Sequence, residues 1–314
     1  MGSTTKAHTA AALSRLIHSG DFDELSDGWS TTFSSIIPDD FVMPDPWLTS
    51  HLTLEDAVSH RTGSSRHDSS WPKELNGKMA TVKDTVRNMR NIPVPTQPRV
   101  KFQYCNRMYS ALTHVIEIVT GKGISEVLQE QIWKPLGMNA TFLRLKDAQD
   151  APEHLASSYW WNSDAKKYEE QITAAPELIS GAGGIVSNVV DYAKWLKCLI
   201  HEQDFLPSAV HKDIRTPRFI ESSSAENPSL YGLGWSRSTI HKKVMYDHNG
   251  STGTFQTTNL WIPELKYGIV LVGSGFQSAD YVATILARKL IEDKFEIPEE
   301  DREDYPAKYV CFFH

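Results

Sequence analysis

Apolar residues recur at intervals of three and four in several stretches of the chain, which predicts amphipathic helices. The first such stripe consists of Ala10, Leu13, Leu16 and Ile17. Gly20 followed by Asp21 is a typical helix end, so a helix is predicted from about residue 4 to 20. A short helix is predicted from an N-cap at 53 to about 60, and longer ones over 110–120 and 280–294. Another helix is predicted to end at 134–138, and one more to follow a flexible turn at 180–184 and run to about 201.

The pattern changes past residue 231, where β-branched and aromatic runs alternate with Gly and Pro turns. These runs cover 231–238, 243–247, 255–262 and 267–274, and 263–266 has the composition of a hairpin connection. They predict an antiparallel sheet in the C-terminal part of the chain. The region 21–179 is predicted to be mostly helical.

Composition narrows the classes of function. The chain has 314 residues, 40% of them hydrophobic, enough for a large core, and its net charge of -7 provides no basic field for nucleic acid. Its three cysteines form no CxxC pair, which argues against a disulfide framework or a zinc site and mildly favours a reducing compartment. Without an eighteen-residue apolar run or a signal-peptide pattern, we expect no membrane partner and a cytoplasmic location.

A serine and a lysine three positions apart occur at the start of the first predicted helix. Ser3 and Lys6 would lie one turn apart on the same face, where an amine can take the proton of a hydroxyl. The same spacing occurs at 70–73 and 163–166, but only the copy at 3–6 opens a helix with an apolar stripe. Taken alone, Ser3 is more readily explained as a helix N-cap than as a nucleophile, and Lys6 as a solvated helix residue.

Two further elements follow in a fixed order, and this order carries more weight than any single motif. Tyr104-x-Asn106 lies in a loop at a helix entry, and His248-Asn249-Gly250-Ser251 lies at a strand end. Taken singly, Tyr104 is a buried aromatic residue, Asn106 an N-cap and His248 a structural histidine.

With these three elements in order, the chain resembles the serine β-lactamase and penicillin-binding-protein superfamily, closest to class C β-lactamases and related esterases and transesterases. The segments 2–10, 52–63 and 182–187 add to the resemblance, which covers nearly the whole chain. It implies an α+β fold of the β-lactamase/transpeptidase type, in which helices flank an antiparallel sheet beside a mostly helical region. One region would comprise 1–20 and 180–314, and the other 21–179.

The resemblance also implies roles for the motif residues in serine-dependent acyl transfer. Ser3 would be the nucleophile, and Lys6 and Tyr104 would be the proton-transfer groups. This role requires that the surroundings of Lys6 lower its pKa. Asn106 would hold Lys6 or the substrate.

At the third motif, the N–H groups of Ser3 and Ser251 would form an oxyanion hole, and Gly250 would leave room for the substrate. His248 stands where β-lactamases usually carry lysine. Because a histidine is mostly neutral at pH 7, this difference favours ester or thioester substrates over antibiotics with a carboxylate.

Members of this superfamily carry strands before the nucleophile, and those strands are absent from the 314 residues. We therefore expect an uncovered sheet edge and a Ser3 near a fraying end. The expected partner is a small-molecule acyl substrate consumed by hydrolysis or transesterification, and the alternative is a catalytically inactive or truncated binding or scaffold protein. No cofactor is expected. His60, His67 and Asp68 are residue types that bind metals, but their spacing does not provide a third ligand, so no metal is expected. The oligomeric state is left open.

Overall fold

The computed structural model describes residues 1–68, 70–71, 74–75, 77–152, 154–171, 177–224, 227–275 and 277–304. The helices are α1 (Thr5–Ser19), α2 (Phe33–Ile36), α3 (Pro46–His51), α4 (Leu54–Val58), α5 (Val82–Asn88), α6 (Asn106–Thr120), α7 (Ile124–Leu128), α8 (Lys134–Leu136), α9 (Leu145–Asp150), α10 (Ser180–Gly183), α11 (Val189–His201), α12 (Ser208–Arg215) and α13 (Gln277–Lys294). The strands are β1 (Glu74–Leu75), β2 (Lys78–Met79), β3 (Tyr159–Asn162), β4 (Lys167–Glu170), β5 (Phe219–Ser222), β6 (Ser229–Tyr231), β7 (Ser236–Ile240), β8 (Lys243–Ser251), β9 (Phe255–Ile262) and β10 (Tyr267–Ser274).

A six-stranded antiparallel sheet organises the C-terminal half, with the strand order β10-β9-β8-β7-β6-β5. Strand β7 pairs with β8 only as far as Asp247, which faces Ser236. The last four residues of β8 continue to pair with β9 on the other side. The end of β8 therefore extends past β7, and it forms one wall of the cleft described below.

The sheet is covered on both faces, as the alternation of side chains along β9 requires. Leu260 and Ile262 pack with residues of α13, whereas Trp261, between them, belongs to the main core. The main core continues into α1, which is buried along most of its length and packs against α6, α10 and α12. This position fixes the N-terminal turn of α1 at the centre of the molecule.

Most predicted elements are present. Helix α1 spans Thr5–Ser19 and ends at Gly20 in the left-handed conformation, as predicted. The predicted cap at Thr53 forms a complete capping box with Asp56. The fold class is confirmed: helices and an antiparallel sheet form a β-lactamase/transpeptidase-like architecture.

Three expectations about local structure were wrong. The segment 180–184, predicted to be a flexible turn, begins as the short buried helix α10. The predicted strand over 231–238 is divided into β6 and β7 by a turn, in which the N–H of Gly232 donates to the carbonyl of Trp235. The third wrong expectation was that Ser3 lies near a fraying end. Met1 is buried, and its amino group donates to the Ile185 carbonyl at 2.8 Å.

Two features were not predicted. One is the strand β5, which extends the sheet beyond β6, and the other is the presence of two antiparallel pairs, β1–β2 and β3–β4, within the region expected to be mostly helical. The described helices are all too short or too polar to cross a bilayer.

Candidate active site

The first turn of the chain places Lys6 in the interior with its amine directed at Ser3. Ser3 lies in the 3₁₀ turn Gly2–Thr4, and Lys6 follows in α1 with a fully buried side chain. Its Nζ lies 3.2 Å from the Ser3 Oγ, 2.7 Å from the Asn106 Oδ1 and 2.7 Å from the Ala182 carbonyl oxygen. Three segments far apart in the sequence thus meet at one amine.

The surroundings of the Lys6 amine disfavour its charged form. Burial holds the pKa of Lys6 well below its usual range, and the positive charge of Arg66 lowers it further, while Asp68 and Cys105 oppose the shift. A neutral amine has two N–H donors and one lone pair. In that form Asn106 and Ala182 would each accept one N–H and the lone pair would face the Ser3 hydroxyl, whereas in the charged form all three oxygens accept from the amine.

Tyr104 lies above the same amine. The Lys6 Nζ is 4.7 Å from the centre of its ring, and the Arg66 guanidinium carbon is 5.0 Å from it. Burial raises the pKa of Tyr104, although the nearby Ser3 hydroxyl and Arg66 oppose the rise, so the phenol stays protonated. Its buried hydroxyl meets hydrogen-bond geometry with none of the described residues, which leaves it available to a bound molecule.

His248 is held neutral by its surroundings. Its Nε2 lies 3.0 Å from the Tyr231 hydroxyl and its Nδ1 lies 2.7 Å from the Asn249 carbonyl, so Nδ1 carries the proton and Nε2 accepts from the tyrosine. Burial and, secondarily, the nearby Lys6 lower the pKa of His248 to about 4. Both ring nitrogens are therefore occupied, and the side chain supplies no positive charge at neutral pH.

The end of β8 and the Ser3 turn are in close backbone contact. A Cβ at Gly250 would lie 2.0 Å from the Met1 carbonyl oxygen and 3.2 Å from the Ser3 nitrogen. A Cβ at Gly2 would lie 2.5 Å from the Ser251 nitrogen. Only glycine fits at these two positions, and their small size brings the backbone nitrogens of Ser3 and Ser251 to the same end of the cleft.

These residues line a cleft of about 1070 Å³. Its walls include six of the residues singled out from the sequence: Ser3, Tyr104, Asn106, His248, Gly250 and Ser251. Lys6 lies beneath them, so the structure brings together all seven predicted site residues. Of the other Ser-x-x-Lys copies, 163–166 is an exposed turn between β3 and β4. In the copy at 70–73, Trp71 lines the cleft, and Pro72 and Lys73 fall outside the described residues.

Sequence reasoning missed several charged groups of the cleft. Arg66, Asp68, Glu221, Asp247 and Arg288 all line it. Burial, reinforced by the negative charge of Glu221, raises the pKa of Asp247 to about 7, and Arg288 opposes the rise. The adjacency of Asp247 to the His248 motif was the one available signal for a role in the cleft. Asp68 was considered only as a metal ligand, and Arg288 lies in a predicted helix. Arg66 and Glu221 lie in segments with no recognisable pattern.

The residues considered for a metal take other roles. The His60 Nδ1 accepts the backbone N–H of Cys105 at 3.1 Å, and this bond ties the loop before α6 to the end of α4. The ring of His60 lies 4.2 Å from that of Tyr104. Asp68 accepts from Arg66 and Asn106. Among the described residues, no group of three or more His, Cys, Asp or Glu side chains has metal-binding geometry.

Comparison with known proteins agrees with this geometry. The family model described as Beta-lactamase matches residues 1–292. The chain belongs to the beta-lactamase family. Its solved structural neighbours include penicillin-binding-protein-like serine hydrolases, as the ordered motifs predicted.

A curated relative of this beta-lactamase family member is "Unguisins hydrolase ungD" of Aspergillus violaceofuscus (strain CBS 115571). The two are 39% identical over 330 aligned positions, which cover 98% of this chain and 58% of the relative. The chain therefore spans little more than half the length of that protein.

Solved structures show the same fold. A penicillin-binding protein homologue from Pyrococcus abyssi superposes with a TM-score of 0.78 at 22% identity, over 93% of this chain and 65% of the homologue. A D-stereospecific amidohydrolase from Streptomyces sp. superposes with a TM-score of 0.73 at 20% identity, over 88% of this chain and 81% of that chain.

Proposed function

We propose that this protein is a serine hydrolase that forms an acyl-enzyme on Ser3 and cleaves amide bonds of small-molecule substrates. The observation that carries the proposal is the buried Lys6 amine, which lies 3.2 Å from the Ser3 Oγ and 2.7 Å from both the Asn106 Oδ1 and the Ala182 carbonyl oxygen. In its neutral form this amine can donate to Asn106 and Ala182 and accept the proton of Ser3. A lysine with a lowered pKa in this geometry can activate a serine without histidine.

The reaction would proceed in two stages. The Ser3 Oγ attacks the substrate carbonyl carbon and its proton passes to Lys6. The carbon–nitrogen bond then breaks, and the leaving nitrogen receives a proton from Tyr104, which lines the cleft and is reprotonated by Lys6. Water attacks the resulting ester, the bond to the Ser3 Oγ breaks, and a proton returns to that oxygen.

The oxyanion formed at each stage would accept hydrogen bonds from the N–H groups of Ser3 and Ser251. The close packing of Gly2 against Gly250 and Ser251 supports this assignment, because it fixes both nitrogens before the substrate binds. Preorganised donors of this kind stabilise the transition state without reorganisation.

The choice of amides rests on two supports. Relatives and structural neighbours include a hydrolase of unguisins and an amidohydrolase, which indicates hydrolysis rather than another use of the fold. The protonated Tyr104 supplies the proton that a leaving amine needs and that an activated alcohol leaving group can do without. Ester and thioester substrates use the same residues, and so does transfer of the acyl group to an alcohol.

Intact-mass analysis tests the proposal directly. The protein is incubated separately with an activated aryl ester, a chromogenic peptide amide, an unguisin and a penicillin, and Ser3→Ala is compared with the matched control Ser163→Ala, which removes the serine of another Ser-x-x-Lys copy. We expect adducts on the wild type and on Ser163→Ala, none on Ser3→Ala, and release of product from the amide.

The outcomes separate the candidate functions. Turnover of esters with no turnover of amides would replace the amide assignment with that of an esterase. Formation of an ester of an added alcohol would indicate acyl transfer. Folded wild-type protein that forms no adduct with any reagent would overturn the catalytic proposal and favour the non-catalytic binding or scaffold role.

A further inference from the structure

The orientation of the Asn106 amide is fixed by its two partners. Lys6 offers only donors or a lone pair occupied by Ser3, so the amide oxygen must face it, at 2.7 Å. On its other side the Asn106 Nδ2 lies 3.2 and 3.1 Å from the two carboxylate oxygens of Asp68, which only accept. Reversal of the amide would place like groups together on both sides.

Asp68 is itself held from the cleft side. The Arg66 Nε donates to its Oδ2 at 2.8 Å, and the same guanidinium lies over the ring of Tyr104. The Arg66 side chain is 61% exposed and that of Asp68 is 30% exposed, so the ion pair itself contributes little to folding. Its position beside two of the proposed proton-transfer groups requires another explanation.

We propose that Asp68 is a positioning residue for proton transfer: it locks the Asn106 amide so that the amide oxygen holds the Lys6 amine against Ser3, and Arg66 anchors Asp68 in that position. The inference rests on the proposed function for the meaning of the site, but the arrangement of the four side chains has consequences of its own.

The two charges act on Lys6 in opposite directions. Asp68 favours the protonated amine and Arg66 the neutral amine, so removal of each has the opposite effect on the pKa of Lys6. Neither substitution removes any of the other titratable groups around the amine, which are Tyr104, Tyr109, Cys105, His60 and His248. Opposite shifts would show that both charges act on the amine, and the kinetics below test whether Asp68 also orients Asn106.

The first measurement needs no catalysis. In protein labelled with ¹⁵N-lysine, the Lys6 Nζ resonance is assigned by its absence from Lys6→Ala and followed as a function of pH. We expect Asp68→Asn to lower the pKa of Lys6 and Arg66→Gln to raise it, with the Arg66 effect shrinking in high salt because that side chain is exposed. The matched controls Asp150→Asn and Arg144→Gln, far from the cleft, should leave it unchanged.

The second measurement is steady-state kinetics. Asp68→Ala should lower kcat by about tenfold to a hundredfold, as the loss of an orienting partner does at other sites, with a smaller change in KM. Asp68→Glu should recover part of the loss.

Shifts of the Lys6 titration in the same direction for both variants, or none for either, would overturn the proposal, and so would full kcat in a folded Asp68→Ala protein. If the wild type forms no acyl adduct, the proposed function fails, but the ¹⁵N titration still decides whether Asp68 and Arg66 control the amine.

Discussion

The Nζ of Lys6 lies 2.7 Å from the Oδ1 of Asn106, a residue 100 positions further along the chain. The contact is made inside the protein, where the fully buried ammonium would be costly. A site that holds a lysine neutral creates a base at the expense of stability, and this balance determines the effects of substitution and of pH.

Lys6→Arg should strongly reduce acylation and lower the free energy of unfolding, because the guanidinium keeps its charge in the buried site. Arginine remains protonated at all accessible pH values, so it cannot accept the Ser3 proton, and we expect kcat/KM to fall by about 10²–10⁴. In the wild type, kcat/KM should fall as the pH decreases through the lowered pKa of Lys6. Stopped-flow acylation with an aryl ester measures both effects, with the exposed Lys146→Arg as control. Retention of wild-type kcat/KM in Lys6→Arg would exclude Lys6 as the base.

Gly250→Ala should damage both stability and activity. The new methyl group would lie 2.0 Å from the Met1 carbonyl oxygen, so the Ser3 turn or β8 must move. We expect a loss of about 2 kcal/mol in the free energy of unfolding, typical of overpacking, and a large loss of kcat. Urea unfolding and kinetics are compared with Gly123→Ala, where a Cβ meets nothing within 4 Å. Equal stability of the two variants would contradict the close contact.

His248 should contribute a loss of stability as the pH falls from 6.5 towards 4, and the raised pKa of the neighbouring Asp247 opposes this loss. Burial lowers the pKa of His248 from 6.5 to about 4, so between these values the unfolded state binds a proton that the folded state does not. By pH 4, this difference in the pKa of His248 between the unfolded and folded states should lower the free energy of unfolding by about 3 kcal/mol. Chemical denaturation at a series of pH values should give a shallower decline for His248→Gln than for the wild type. An unchanged slope would mean that His248 has an ordinary pKa.

Asp56→Ala should destabilise the loop that carries Arg66 and Asp68. The Asp56 carboxylate is fully buried and accepts from Arg61 at 2.7 Å and from Arg99 at 2.9 and 2.7 Å. Its removal takes the carboxylate partner from Arg99 and one of two from Arg61, which keeps Glu55, and it breaks the capping box at Thr53, so we expect a loss of about 3 kcal/mol.

Urea unfolding measures this loss, with the 60% exposed Asp150→Ala as a control that should be nearly neutral. Because hydrogen bonds from Arg99 and Arg61 outweigh burial and lower the pKa of Asp56, its contribution should disappear as the pH falls through that lowered pKa. Similar stabilities of the two variants would show that the cluster contributes little.

Much of the fold was predictable because its signals are local. The apolar stripe of α1, its end at Gly20 and the capping box at Thr53 depend on neighbours within one or two turns. Errors arose where tertiary contacts override local preference. The glycine-rich segment 180–184 has the composition of a turn, but burial against α1 and α6 makes most of it helical.

The sequence by itself determined the family, through the order of its three motifs, and with it the group of seven residues that the structure brings to one cleft. Only the tertiary structure decided which atoms meet. The Ala182 carbonyl at Lys6, the Asp68 carboxylate at Asn106 and the Tyr231 hydroxyl at His248 join residues 176, 38 and 17 positions apart. Such contacts follow no helical or strand period, since they form when separate elements pack together, and so they leave no pattern in the sequence.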